Sequence, residues 1–261
     1  MSIVRAKKSL GQHFLKDRNI AAKITGSLLP VTAEVLEVGP GMGVLTRFLF
    51  ENTGISVRAI DVDRESVEYL HREFPAHREQ IVHGDFLKTD LSLWYSGPFS
   101  VIGNLPYNIS SQIFFRILEN RHLVRQAVCM IQKEVAERIS AGHGNKTYGI
   151  LTVFLQTFYR IEYLFTVSEQ VFDPPPKVKS AVIRLIRNER EQLGCDEKLF
   201  FRIVKTGFNQ RRKTLRNALK TVLPEGFTSG YLELRPEQLS PDDFIRLCRE
   251  IETYTPQQQP S

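Results

Sequence analysis

Apolar runs alternating with helical stretches predict an α/β chain: a mostly parallel sheet with a ligand site along its strand ends, followed by a smaller helical part. Three observations carry this. The apolar run Glu34–Val38 passes directly into Gly39-Pro40-Gly41-Met42-Gly43 and then a helical stretch, Val44 to Glu51. Strand, glycine turn and helix in that order open nucleotide-binding sheets. The next two strands end in acids, at Asp61 and at Asp85-Phe86. After residue 187 the strand pattern stops and amphipathic helical segments take over.

Taken in order, Lys7 to Phe14 is basic and irregular, and a frayed tail accounts for it as well as an ordered segment does. Asp17 stands where it would cap a helix running through Leu28. In the glycine turn, Pro40 and the early third glycine depart from the dinucleotide pattern, so no pyrophosphate is implied. The strand Ser56 to Ile60 delivers Asp61 twenty-two residues beyond Gly39, close to where an acid would accept bonds from ribose hydroxyls. A helix is expected over Arg64 to Phe74, then a short strand at Ile81-Val82. There Asp85 would accept from an adenine amine and Phe86 pack on its face. Singly, both acids also fit plain loop and cap carboxylates; glycine, acid and acid at three consecutive strand ends is a rarer coincidence.

The run Phe99 to Gly103 reads as a buried parallel strand, which places Asn104-Leu105-Pro106-Tyr107 at its carboxyl end, where open α/β sheets bind ligands. The Asn104 oxygen and the Leu105 carbonyl can accept both protons of an exocyclic amine while Tyr107 stacks on its ring. Bonds drawn out of the ring plane would localise the nitrogen lone pair and make the amine nucleophilic. A strand ending in a proline turn with a capping Asn accounts for the same four residues. Beyond it, helices are expected over Ser110 to Leu118 (Ser110 as cap), Lys133 to Ala141 and Gly149 to Thr157. Strands are expected over Gln126 to Ile131, Arg160 to Val167 and Ser180 to Ile186. The loop Val171 to Val178 holds three prolines, which would stiffen it and make Phe172 either a fixed aromatic wall or a core plug.

The 261 residues suit one large domain plus a small one, and the polar stretch Arg187 to Glu197 sets the boundary, giving domains 1–190 and 191–261. Helices are expected over Lys198 to Phe208, Lys213 to Val222 and Pro241 to Thr253, with Ser240 as cap, and Pro256 to Ser261 as a disordered tail. The net charge is +6 and the pI about 9.2, favouring a polyanionic partner. That charge is patchy: residues 198 to 220 hold eight basic side chains and no acid, and residues 1 to 23 hold six against one Asp. Within the first patch Arg211, Arg212, Lys213 and Arg216 suit phosphates, with Arg212 and Arg216 on one side of a helix. Cys129, Cys195 and Cys248 lack metal-ligand spacing, so neither zinc site nor disulfide is expected and the thiols read as those of a cytoplasmic protein. No apolar leader and no run of about 18 apolar residues argues for export or membrane spanning.

The motifs Gly11-Gln12-His13-Phe14-Leu15, Glu37 to Gly41, Asn104 to Ile109, Gln132-Lys133-Glu134, Pro174 to Val182 and Phe208 to Leu219 together resemble the KsgA/RsmA family of ribosomal small-subunit RNA adenine dimethyltransferases. The similarity spans nearly the whole chain. It implies a class I methyltransferase fold, a Rossmann-like seven-stranded sheet with a small all-helical C-terminal domain, and S-adenosyl-L-methionine as methyl donor. It implies as substrate two adjacent adenosines near the 3′ end of small-subunit ribosomal RNA, presented in a pre-30S-like particle to a monomer that needs no metal and no membrane. By the resemblance, His13 and Leu15 would lie beside the cofactor, Gly39 and Gly41 under its methionine part, Asp61 at its ribose, and Asp85 with Phe86 at its adenine. Asn104 would serve cofactor and target, and Phe172 would sandwich the target opposite Tyr107. Asp61 stands where the family commonly has Glu, one methylene longer. Alternatives of the same fold are a large-subunit methyltransferase of the macrolide-resistance type and a non-catalytic assembly or transcription factor.

Overall fold

The computed structural model describes residues 4–254, so the expected tail from Pro256 lies outside it. Compactness divides the chain into one unit of residues 1–136 with 160–187 and a second of residues 137–159 with 188–261. The expected break near 190 is close to the observed one. The expected division, however, assigned 137–159 to the first domain, and these residues group with the second unit. No helix among the described residues is long and apolar enough to cross a membrane.

In the first unit, β2 (Glu34–Val38), β3 (Ser56–Asp61), β4 (Ile81–His83), β5 (Phe99–Asn104) and β6 (Val124–Gln132) are parallel. β9 (Ser180–Arg187) runs antiparallel to β6. With β7 (Tyr159–Val167) they form a seven-stranded sheet in the order β4-β3-β2-β5-β6-β9-β7. The direction of the chain's wind reverses between β2 and β5, which is where such sheets open a crevice beyond their strand ends. Strands buried on both faces need unbroken apolar runs, and Val101 and Ile102 of β5 and Val128 to Ile131 of β6 are fully buried.

Asp17 caps α1 (Arg18–Thr25) as expected, accepting from the N–H groups of Asn19 and Ile20, but the helix stops at Thr25, short of Leu28. α1 and α2 (Val44–Glu51) put Ala21, Ile24, Leu45 and Leu49 into one core with Val35, Ile102, Val128 and Val182. α3 (Arg64–Glu73) packs Val67 and Leu70 on Ala59 and Ile81. In α4 (Ser110–Glu119) the cap position belongs to Ile109; Ser110 is the first helical residue, and its hydroxyl donates back to the Tyr107 carbonyl instead. A separate two-stranded ribbon pairs β1 (Phe14–Leu15) antiparallel with β8 (Phe172–Asp173). The Lys7 to Phe14 stretch is thus no frayed tail. The Lys7 ammonium lies 2.6 Å from the buried Asp63 carboxylate, and the Gln12 amide donates to its other oxygen.

In the second unit, α6 (Ile150–Phe158), α7 (Glu197–Asn209) and α9 (Pro241–Thr253) share an apolar centre where Phe154 meets Phe201 edge-on, with ring centroids 4.5 Å apart. α5 (Lys133–Ser140) straddles the unit boundary in sequence. Ser240 caps α9 in a reciprocal box with Asp243. The helix expected over Lys213 to Val222 is reduced to α8 (Leu215–Ala218). Thr214 is extended there, and the Leu215 N–H is drawn to the Leu234 carbonyl at 2.8 Å. Arg212 therefore sits in a turn and not on a helix with Arg216. Cys195 and Cys248, far apart in sequence, come close enough to share a hydrogen bond, and burial pushes both thiols up, which keeps them protonated.

Candidate active site

Beyond the carboxyl ends of β2, β3 and β5 lies a cavity of about 280 Å³, the order of size of a small-molecule site. His13, Leu15, Gly39, Gly41, Asp61, Asp85, Asn104, Leu105 and Tyr107 all line it. The convergence depends on Gly103: a Cβ there would stand 2.4 Å from the Val38 carbonyl oxygen, so only glycine lets β2 and β5 close up just before they diverge into their loops. Gly41 has φ +55°, and a Cβ on it would come within 2.9 Å of the Phe14 ring.

The asparagine is oriented by the N-terminal segment. Its Nδ2 donates to the His13 carbonyl at 3.0 Å, which commits the amide nitrogen and leaves Oδ1 as the acceptor. No hydrogen bond reaches the Leu105 carbonyl among the described residues, while the Leu105 N–H donates to the Met130 carbonyl and holds the loop against β6. Two acceptors thus stand in adjacent residues, as an exocyclic amine requires. The Tyr107 hydroxyl is 2.6 Å from Ser180 Oγ, which fixes the ring plane, and burial pushes the phenol pKa up.

Phe172 does not face Tyr107 across the cavity. It is 1% exposed, paired with Leu15 across the ribbon and packed in the core, so of the two readings of this ring the core plug is the one observed. The ring beside Tyr107 is the His13 imidazole, with centroids 5.4 Å apart. That gap is too narrow for a base, which needs about 3.5 Å on each side. The ring is anchored by Nδ1 against the Pro174 carbonyl at 2.8 Å. Phe86 is also withdrawn: it is buried, and its neighbour Leu87 supplies the apolar wall. Both rings are buried although their sequence neighbours are largely polar, so neither withdrawal is visible in the local sequence.

Asp61 is buried, with one carboxylate oxygen accepting from the Gly41 N–H at 3.1 Å and the other from the Asp63 N–H at 2.9 Å. Burial raises its pKa while these two bonds oppose the rise. Each oxygen keeps a lone pair for a hydroxyl. Glu37 was given no role by sequence reasoning, although an acid in the apolar run of β2 is a visible signal. It lines the cavity, is 1% exposed, and its Oε2 has no hydrogen-bond partner among the described residues. Burial pushes its pKa up to about 8, and the negative charge of Asp61 acts in the same direction.

A buried carboxyl with one oxygen left without a partner among the described residues, beside an open glycine cradle, suits a cationic ligand, and carboxylates at the next two strand ends suit a ribose and an adenine amine. The cavity therefore fits S-adenosylmethionine. With the seven-stranded sheet, in which β9 runs antiparallel to β6, this site defines a class I S-adenosylmethionine-dependent methyltransferase. The model of the family described as ribosomal RNA adenine dimethylase matches residues 3–253, and the chain belongs to that family.

The ribosomal RNA small subunit methyltransferase A of Cytophaga hutchinsonii is 55% identical over 251 residues, covering 95% of this chain and 97% of the relative. That of Bacteroides fragilis is 54% identical over 261 residues, covering 97% and 94%. Among solved structures, a dimethyladenosine transferase from Plasmodium falciparum superposes with a TM-score of 0.79 at 27% identity, covering 92% of this chain and 98% of that one. The 23S rRNA methyltransferase ErmE gives 0.68 at 26%, covering 92% and 100%.

In the second unit, Arg211 lies 3.9 Å from Glu237 and donates to the Asn145 carbonyl, and Arg216 pairs with Glu233 through Nε at 2.9 Å. Arg212 and Lys213 are exposed and in no ion pair among the described residues.

Proposed function

We propose that this chain dimethylates the 6-amino groups of two adjacent adenosines near the 3′ end of small-subunit ribosomal RNA, with S-adenosylmethionine as donor. The small-subunit methyltransferases at 54–55% identity favour this target over the large subunit. The observation that carries the chemistry is the Asn104 Nδ2 bond to the His13 carbonyl, because it turns Oδ1 toward a donor.

When bound, the cofactor supplies an electrophilic methyl group on a sulfonium. Asn104 Oδ1 and the Leu105 carbonyl accept the two amine protons and localise the nitrogen lone pair. Tyr107, fixed through Ser180, offers its ring to the purine. Placement of the two reactants can supply roughly 7–11 kcal/mol of the barrier. Transfer of that methyl from sulfur to the amine nitrogen would leave the nitrogen positive, and only then would its proton turn acidic. A carbonyl or water then suffices to take it, and neither strong base nor metal is called for. Asp61 would hold the ribose hydroxyls through its remaining lone pairs, and Asp85 the adenine amine. Gly39 and Gly41 would support the methionine part, with His13 and Leu15 closing over it.

The first unit would be the methyltransferase domain and the second the part that holds the ribosomal RNA of a pre-30S-like particle. Arg212 and Lys213 would make the first phosphate contacts there, with Arg211 and Arg216 exchanging their carboxylate partners for phosphate. The protein would act as a cytoplasmic monomer. Incubation with methyl-labelled cofactor and unmethylated small subunits tests the reading. Label on two adjacent adenosines supports it, and Asn104→Ala should lower transfer about a hundredfold or more. Tight binding without label, or an Asn104→Ala variant as fast as the parent, refutes it.

A further inference from the structure

A second cavity, of about 870 Å³, adjoins the first within the same unit. Phe14, Leu15, Met42 and Val44 line both, so these four side chains form the wall between them. The new groove is cationic. Arg5 and Lys16 come from the N-terminal segment, Arg18 from the first turn of α1 and Arg47 from α2, against one lining acid, Asp173. All four basic residues are exposed. Arg5, Lys16 and Arg18 enter no ion pair among the described residues, and Arg47 reaches only Glu73, at 4.0 Å. Arg18 is steadied by the Phe48 ring, 5.9 Å from its centroid, and Arg47 by Phe74, at 5.5 Å.

Four like charges around one groove repel each other unless an anion lies between them. They come from three separate segments on both walls, which matches successive phosphates of a strand better than one small anion. A base taken out of its stack into a cavity leaves its flanking phosphates at the mouth. We infer that this groove carries the ribose-phosphate backbone next to the target adenosine while the base enters the neighbouring cavity. The inference rests on the RNA-methylation reading above.

The test removes one charge from each wall in a Lys16→Gln/Arg47→Gln double variant of the full chain. The probe is a labelled 3′-terminal fragment of small-subunit ribosomal RNA, titrated from low to high salt. At ~0.7 per phosphate contact on a single strand, the slope of log affinity against log salt should shrink by about 1.4. That is about a tenfold loss of affinity at ~0.15 M salt. The KM for RNA should rise while cofactor affinity stays at the parent value, and Lys16→Arg/Arg47→Lys, which keeps both charges, should restore binding. An Arg78→Gln/Arg125→Gln variant loses the same net charge from exposed positions outside both cavities. A salt slope equal to the parent's, or an equal loss in this control, overturns the groove assignment. Either outcome leaves the parent's methylation intact, whereas failure of the parent to methylate would overturn the functional reading itself.

Discussion

Replacing Glu37 with Gln tests the electrostatics of the cofactor site directly. The carboxyl is fully buried and its pKa is pushed from 4.5 to about 8. Between those values the unfolded chain ionises at this residue and the folded chain does not, so the folded state binds the extra proton. Stability then falls as pH rises, by about 1.4 kcal/mol per pH unit, and levels off above pH ~8. At pH ~7 the loss relative to acid conditions is about 3 kcal/mol, and above pH ~8 about 5 kcal/mol. Gln keeps the volume and is neutral throughout. Urea unfolding of both proteins without cofactor, at several pH values from 5 to 8.5, should show stabilities that diverge in favour of the variant as pH increases. The unpaired amide of Gln would subtract a constant of about 1–3 kcal/mol, which leaves the slope unchanged. Cofactor affinity should move the opposite way, because a cation favours the ionised acid: in the parent it should tighten up to about pH 8, and in Glu37→Gln it should be weak and flat. Identical pH dependence of stability in the two proteins would refute the buried neutral carboxyl.

Leu105→Pro should change the ratio of mono- to dimethylated adenosine, since the second transfer needs room for a methyl where an amine proton had bonded; mass mapping of products checks it, and an unchanged ratio removes Leu105 from that role. Gly103→Ala forces a Cβ against the Val38 carbonyl and should cost about 1–3 kcal/mol in thermal or urea unfolding. It should also lower transfer about a hundredfold by displacing Asn104. A variant of parental stability and rate would show that the two strand ends are free to part.

Much of this protein is local and was legible in the residues themselves. Apolar runs long enough for buried strands, glycines at a strand end, Asp17 and Ser240 as caps, and an acid at each of two successive strand ends need only their neighbours to be understood. Those features determined the sheet, the crevice and most of its lining. The tertiary structure decided what depends on partners distant in the chain. Phe172 and Phe86 were aromatic residues beside a site, and whether such a ring faces ligand or core is set by which surface the backbone there happens to cover. Asn104 received its orientation from a carbonyl 91 residues earlier. The basic run at Arg211 to Arg216 has helical spacing, yet Thr214 is extended and the Leu215 N–H bonds to the Leu234 carbonyl, so the helix begins only at Leu215 and leaves Arg212 outside it. Residues 137–159 join the second unit because burial of their apolar faces is settled by the helices that follow 188, not by the strands beside them in sequence. Periodicity fixes which face of an element is apolar; only packing in three dimensions selects what that face meets.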